Sequence, residues 1–326
     1  MVWSLDKIKV GVLTGGVSSE RYISIKSCEN VIKHLDENKY IIKRIEITES
    51  NEINWLDEII NSNLDVIFNT LHGGIGENGS IQGLLQSLEI EYVGSKVFSS
   101  ALCMDKKALK ELLSFNHIQV AKDVLIKKSD KFELFLDDIR VMEFPLIVKP
   151  NLGGSSIGIE IVENICELEN AVYKIREKYY DDTLVEKYIK GKEISCCMME
   201  QDGEVKVLAI LEANKKGNIF GYEDKYERGV SSEISLMPDF MKDMIKDIAI
   251  KAFKCAKCKD YACIDMIVRD EQIYLLEINT SPGLTKSSLI PMACKSSGIG
   301  FSKFLDTIIY EQILRKNSKK SVDISV

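Results

Sequence analysis

Apolar positions follow two rhythms along the 326 residues of this chain. In the first hundred residues, short apolar runs alternate with amphipathic stretches. "KIKVGVLTGG" (7–16) reads as a buried strand closed by a glycine turn, and "SIKSCENVIKHL" (24–35) has helical spacing. "YIIKRIEI" (40–47) and "NLDVIFNTLHGG" (63–74) are strands, "GSIQGLLQSLEI" (79–90) is a helix, and "EYVGS" (91–95) is a short strand. This βαβ rhythm predicts a parallel sheet covered by helices, with ligands at the carboxyl ends of its strands. "TGGVSSE" and "LHGGIGENGS" stand at such ends.

From about residue 97 the rhythm changes. "SSALCMDKKALKELLSFN" (99–116) predicts one helix capped by Ser99 or Ser100. "FPLIVKPNLGGSSIGIEIV" (144–162) predicts two strands around a Gly/Ser loop. "DTLVEKYIKGKEISCCMME" and "VKVLAILEA" alternate as antiparallel strands do. Residues 214–236 are polar and aperiodic and read as a long mobile loop, a length usually functional or disordered. Helices are expected over 238–258 and 299–315, a hairpin between them, and frayed residues at the end. The fold class is therefore α/β, with α+β texture in the second half. Three subdomains are expected: 1–96, 97–180, and 181–326 with the loop 214–236.

Composition narrows the function. The chain is 45% hydrophobic and 29% charged, with a net charge of −7, which argues against a nucleic-acid partner. No run of about 18 apolar residues predicts a membrane span, and charged residues interrupt any leader-like start, so a cytoplasmic protein is expected. Nine scattered cysteines then read as reduced thiols. "CAKCKDYAC" (255–263) lacks the four ligands of a structural zinc site and reads as a helix end and a strand.

The hairpin "YACIDMIVRDEQIYLLEINTSPG" (261–283) carries chemistry. Glu277 and Asn279 share a strand face. A three-residue turn centred on Glu271 would set Asp265 opposite Glu277. Two carboxylates and an amide at one point suit Mg²⁺, which takes its other ligands from phosphate oxygens. In "VKPNLGGSSIG", Lys149 precedes glycines that let backbone N–H groups approach an anion. That pattern also describes a plain hairpin turn. In "LVEKYIKGKE", Glu186 and Tyr188 share a face with Leu184, and a strand edge there would suit an adenine. Spacing alone does not separate this from an ordinary strand.

Taken in order, "GGVSSERYISIKS", "HGGIGENGSIQGLLQSLEIEYVGS", "ALCMDK", "VKPNLGGSSIG", "YEDKY" and "LLEINTSPGLTKSSLIP" resemble the D-alanine–D-alanine ligase family of ATP-grasp enzymes over nearly the whole chain. The resemblance implies an ATP-grasp fold with a Rossmann-like N-terminal domain. It implies ATP as substrate, two Mg²⁺ (or Mn²⁺), two amino-acid substrates, peptidoglycan-precursor synthesis and a homodimer. Lys106, Lys149, Gly154 and Ser156 would meet the phosphates. Glu186, Lys187, Tyr188 and Ile189 would line adenine, and Glu193 the ribose. Asp265, Glu277 and Asn279 would hold the metals. Glu20, Ser155 and Tyr226 would form a hydrogen-bonded triad, and Lys225 would reach the transferred phosphate. Ile23 and His72 would flank the first substrate; Ser288 and Leu289 would shape the second pocket. The γ-phosphoryl would pass to a carboxylate, and an amine would attack the acyl phosphate under the closed loop.

The chain departs from the pattern at Cys263, where the family carries an arginine that stabilises the oxyanion. A thiol cannot replace a guanidinium fork, and only the Gly283 N–H would remain as donor. Asn78 stands where aspartate is usual. Three readings are compatible with this: a D-alanyl ligase, a ligase for another carboxylate and amine, or a paralogue that binds ATP without ligating. Leu289 and the "DKY" of the loop favour D-alanine as second substrate, although an apolar pocket cannot strongly reject a hydroxyl.

Overall fold

Strand β1 (Ile8–Gly15) is buried from Val10 onward, because parallel strands are covered on both faces. The computed structural model describes residues 7–48, 54–154, 157–212 and 237–323. After β1 come α1 (Arg21–His34), β2 (Tyr40–Ile47), α2 (Asn54–Asn61), β3 (Val66–Asn69), α3 (Ser80–Ser87) and β4 (Tyr92–Val93). The four strands pair in parallel in the order β2–β1–β3–β4, as the βαβ rhythm requires.

The helix expected over 99–116 is two helices, α4 (Val97–Met104) and α5 (Lys106–Phe115). Asp105 breaks the run with extended backbone, and its side chain caps α5 by accepting from the Ala108 N–H. Ser99 and Ser100 do not cap; they are buried inside α4, and Ser99 donates to the Lys257 carbonyl.

The second sheet contains β5 (Asp123–Ile126), β6 (Leu146–Pro150), β7 (Glu160–Val162) and β8 (Thr183–Lys187), with α6 (Leu136–Met142) and α7 (Ile165–Lys174) against it. Its order is β5–β8–β6–β7. Two expectations change here. The boundary at 181 falls ahead of β8, which belongs to this sheet. And β8 is an interior strand, not an edge, hydrogen bonded on both sides.

The third sheet is antiparallel, in the order β10–β9–β11–β12. It holds β9 (Lys192–Gln201), β10 (Glu204–Glu212), β11 (Tyr261–Arg269) and β12 (Gln272–Asn279). Gly191 is required at its entry, since a Cβ there would lie 2.5 Å from the Val268 carbonyl oxygen. Helices α5 and α8 (Asp239–Cys255) pack on the face that carries Cys196, Ile264 and Met266. The opposite face carries Cys197 and Cys263. It shares one apolar cluster with α1, α9 (Leu289–Ser296) and α10 (Phe301–Asp323), so the first and third sheets are cemented together. Helix α10 runs past the expected fraying point.

Candidate active site

The hairpin register decides the site. The turn is two residues, Asp270 and Glu271, with Arg269 opposite Gln272, rather than three centred on Glu271. That register alone would leave Asp265 facing Leu276. A β-bulge at Leu276 shifts the pairing by one, and Asp265 comes to lie opposite Glu277 as expected, by a different route. Cys263 then faces Asn279 on the same side. Bulges re-aim side chains at sites in this way.

Strand β9 completes two rungs across three strands. One is Ser195–Asp265–Glu277; the next is Cys197–Cys263–Asn279. Ser195 Oγ donates to Asp265 Oδ1 at 2.5 Å, and the Asn279 side-chain oxygen accepts from the Ser281 N–H at 3.0 Å. Asp265, Glu277 and Asn279 open onto one cavity together with Glu20, Lys106, Gly153, Gly154, Gly283, Ser288 and Leu289. Among the described residues no three His, Cys, Asp or Glu side chains converge as a full protein cage. Two carboxylates and an amide beside an open cavity fit a hard cation that draws further ligands from a phosphate-bearing substrate.

Glu20 precedes α1 and is buried. Its carboxylate packs against Gly73, where a Cβ would lie 2.9 Å from Oε2, and reaches toward Gly154, 3.8 Å by the same measure. Gly73 also has φ +68, so glycine is required there twice over. Ile23 lies buried on the next turn of α1. His72 is buried between Ser27 Oγ (3.2 Å) and Glu77 Oε1 (3.3 Å). Ser27 Oγ in turn accepts the Leu284 N–H at 3.1 Å, and Asn30 Nδ2 donates to the Leu284 carbonyl at 2.7 Å. Helix α1 thereby clamps the residue after Gly283. Ser288 begins α9 and exchanges a hydrogen bond with Thr285, which sets Leu289 on the cavity wall. Asn78 accepts the Ser80 N–H, so the loss of the aspartate charge leaves the turn into α3 intact.

Lys106 opens α5, and its ammonium donates to the Gly153 carbonyl. Burial lowers its pKa, partly offset by Glu277. Lys149 does not project freely toward the cavity: it pairs with Glu186 Oε2 at 2.7 Å. Glu186 Oε1 pairs with Lys110 at 2.6 Å, and Lys110 also meets Asp123 at 3.1 Å. Burial would raise the Glu186 pKa, but Lys149 and Lys110 outweigh it and bring it down to about 2. The Lys187 N–H donates to the Lys122 carbonyl and the Tyr188 N–H to the Pro145 carbonyl, so those two donors are already engaged. Ile189 packs in a small cluster with Ala121 and Ile267, and Glu193 is half-buried on β9. Ser155, Ser156, Lys225 and Tyr226 lie outside the described residues.

Cys197 and Cys263 are joined as a disulfide, which corrects the expectation of nine reduced thiols. They are direct partners on antiparallel strands, with Cα atoms 4.2 Å apart, the narrow type of rung in which side chains sit closest. Cys263 is fully buried and does not line the cavity, so nothing at this position faces a substrate as the family's arginine would. Cys255 and Cys258 stay unpaired, as the helix-end reading of "CAKC" expects.

Ser27, Asn30, Glu77, Lys110, Asp123, Ser195 and Cys197 were not legible as site residues. Each acts through a partner that the fold brings to it, and only Glu77 has that partner, His72, nearby in sequence.

Comparisons with known proteins show the family and the fold. The chain matches the D-ala D-ala ligase N-terminus family over residues 9–60 and 54–95, and the D-ala D-ala ligase C-terminus family over 112–310. It is 36% identical over 311 residues to D-alanine--D-alanine ligase B of Clostridium perfringens, covering 95% of this chain and 99% of that protein. A crystal structure of the Bacillus anthracis D-alanine--D-alanine ligase complexed with ATP superposes with a TM-score of 0.81 at 35% identity, covering 96% of this chain and 99% of that one. The VanG D-Ala:D-Ser ligase of Enterococcus faecalis does so with a TM-score of 0.82 at 29% identity, covering 94% and 100%. With two carboxylates and an amide on one cavity wall, a glycine-bearing loop beside Lys106, and matches along nearly its full length, the chain belongs to the D-alanine–D-alanine ligase family and has the ATP-grasp fold.

Proposed function

We propose that this enzyme joins two D-alanines to D-alanyl-D-alanine at the expense of ATP, in the cytoplasm, for peptidoglycan precursors. The observation that supports this most is the single cavity shared by Glu20, Lys106, Gly154, Asp265, Glu277, Asn279, Gly283 and Leu289. Asp265, Glu277 and Asn279 hold Mg²⁺ (or Mn²⁺). When bound, the metal neutralises charge on the phosphoryl group in flight.

Glu20 accepts the ammonium of the first D-alanine, near Ile23 and His72. Lys106 and Lys149 bind the phosphates, and Lys149 exchanges Glu186 for them on ATP arrival. Glu186 then keeps Lys110 as counter-ion and remains an ionised acceptor for the exocyclic amine of adenine. Lys187, Tyr188 and Ile189 line the base, and Glu193 the ribose. The first carboxylate takes the γ-phosphoryl, and the amine of the second D-alanine, seated by Ser288 and Leu289, displaces phosphate. The Gly283 N–H faces the developing oxyanion without a guanidinium beside it. Removing one oxyanion donor costs on the order of 10²–10³ in turnover, so a slow ligase is expected. Ser155, Ser156, Lys225 and Tyr226, outside the described residues, complete the site in this reading, and the chain works as a homodimer.

The test is incubation with ATP, Mg²⁺ and D-alanine, with ADP and dipeptide measured by mass spectrometry. D-Alanyl-D-alanine formed by the wild type and lost in Asp265→Asn supports the reading. ADP release without dipeptide would sink it. A D-alanyl-D-serine product in competition would shift the second substrate.

A further inference from the structure

We propose that Ser27 and Asn30 are positioning residues that aim the Gly283 N–H at the oxyanion of the ligation step. The reaction rests on the ligase reading; the geometry rests on α1 and the loop after β12.

That loop, residues 280–288, leaves β12 at Asn279 and ends at the start of α9. Its first turn is held by the Ser281 N–H on the Asn279 side-chain oxygen, and its last by Thr285 and Ser288. Leu284, between them, is held from outside the loop. Its N–H donates to Ser27 Oγ at 3.1 Å, and its carbonyl accepts from Asn30 Nδ2 at 2.7 Å, across sequence separations of 257 and 254 residues. Ser27 and Asn30 lie one turn apart on α1, so one helix face meets both peptide groups of Leu284. The Leu284 side chain is buried in the apolar cluster that joins the first and third sheets. Apolar packing is non-directional, so it seats Leu284 without orienting its peptides. The two hydrogen bonds supply the direction.

Gly283 sits between this clamp and Pro282. Peptide planes are rigid, and proline fixes its own φ. With both peptides of Leu284 bonded, the Pro282 ψ and the Gly283 φ and ψ are the soft dihedrals left to set the Gly283 N–H. Among the described residues this N–H has no acceptor, and Gly283 lines the cavity. Cys263 lies buried off that cavity, where the family carries its arginine. The Gly283 N–H therefore meets the oxyanion without a guanidinium, and its aim carries more of the rate than it would beside one.

Ser27 also ties the clamp to the first substrate. Its Oγ lies 3.2 Å from His72 Nε2, and His72 Nδ1 lies 3.3 Å from Glu77 Oε1. One arrangement gives every proton in this series an acceptor: the Leu284 N–H donates to Ser27 Oγ, the Ser27 O–H to His72 Nε2, and the His72 Nδ1–H to Glu77. The other neutral tautomer turns an imidazole lone pair toward a carboxylate and leaves the Ser27 proton without an acceptor in the series. Glu77 lines the same cavity as Gly283. Ser27 thus serves both the first-substrate wall and the loop, whereas Asn30 Nδ2 serves the loop.

The experiment uses the full chain with ATP, Mg²⁺ and D-alanine and follows dipeptide formation. Asn30→Ala is expected to lower kcat about tenfold, short of the loss on the order of 10²–10³ for removing an oxyanion donor outright. The KM values for ATP and both D-alanines should not change. A phosphinate analogue of the dipeptide, whose P–O⁻ stands in for the oxyanion, should lose the same factor in affinity. Asn30→Gln keeps the amide donor and should recover part of both. Asn30→Asp keeps the shape without the donor and should fall as alanine does, which separates lost direction from lost packing. Ser27→Ala should lower kcat likewise and also raise the KM for the first D-alanine, because His72 loses a partner. An unchanged kcat in both Asn30→Ala and Asn30→Asp overturns the proposal and spares the ligase reading. So does a lowered kcat with unaltered affinity for the analogue, or a loss of thermal stability alone, since the contact would then be cement between the two sheets. No dipeptide from the wild type overturns the ligase reading and this proposal together.

Discussion

Glu186 and Asp260 are both buried carboxylates, and their acidities move in opposite directions. Glu186 lies between Lys149 and Lys110, and two cations outweigh burial, so its pKa falls to about 2. Asp260 is raised by burial, which Arg315 and the Gly94 N–H only partly offset. Its ring of donors is the Gly94 N–H at 2.6 Å, Gln312 Nε2 at 2.6 Å and one guanidinium, Arg315, at 2.5 Å. The difference teaches what each cluster is for. The chain Lys107–Asp123–Lys110–Glu186–Lys149 shares Glu186 between two cations, with Glu111 beside Lys107 at its exposed end, and in the proposed reading Lys149 is the cation it gives up to a phosphate. The Asp260 cluster is closed: it ties the end of the first sheet to β11 and α10, and Glu200 takes the other arm of Arg315.

The largest effect that separates them is on stability. Arg315→Met removes the one cation hydrogen bonded to Asp260 among the described residues. Breaking a buried pair on one side costs about 3–5 kcal/mol. The lower end, about 3 kcal/mol, is expected here, because the Gly94 N–H and Gln312 Nε2 still donate to Asp260. Urea denaturation measures it, and the KM for ATP should not change. A raised KM would mean the Asp260 cluster is not closed.

Next comes Lys110→Met. Glu186 then keeps Lys149 as its one ion-pair partner among the described residues, and Lys149 can leave for a phosphate only by abandoning a buried carboxylate. The KM for ATP should rise about tenfold, equivalent to about 1.4 kcal/mol, with Lys110→Arg recovering most of it. A change in kcat alone, with KM intact, would show that Lys149 never leaves Glu186.

These two clusters also mark how far the sequence could be read. The βαβ start, the antiparallel second half and the shared face of Glu277 and Asn279 follow from periodicity, because side-chain direction repeats every two residues along a strand. The bulge at Leu276 leaves no compositional trace, and only the facing strand reveals it. The interior position of β8 depends on β5 and β6, so it could not be seen in "LVEKY" itself. Lys110 lies one helical turn after Lys106 and was visible as an amphipathic helix residue. Its meaning depends on Asp123 and Glu186, which the chain delivers 13 and 76 residues later. The pairing of Cys197 with Cys263 is likewise set by strand order.

The smallest effect is the pH dependence, and its sign differs between the two groups. The Glu186 pKa is lowered from the ordinary 4.5 to about 2. Between those values the unfolded chain binds the extra proton, so the contribution is complete above 4.5 and is lost as pH falls toward 2. The Asp260 pKa is raised from 3.8, so the folded chain binds the extra proton and stability falls as pH rises past 3.8. Only the upper part of the Glu186 window is reachable before general acid unfolding. Between about pH 4.5 and 3.5, a single carboxylate of this kind removes about 1 kcal/mol. Glu186→Gln should therefore flatten the acid limb of a denaturation-against-pH curve by about that amount, while Asp260→Asn should steepen it or leave it as it is. Equal flattening in both variants would mean that the second lysine at Glu186 makes no difference, and the contrast between an open and a closed charge cluster would fail with it.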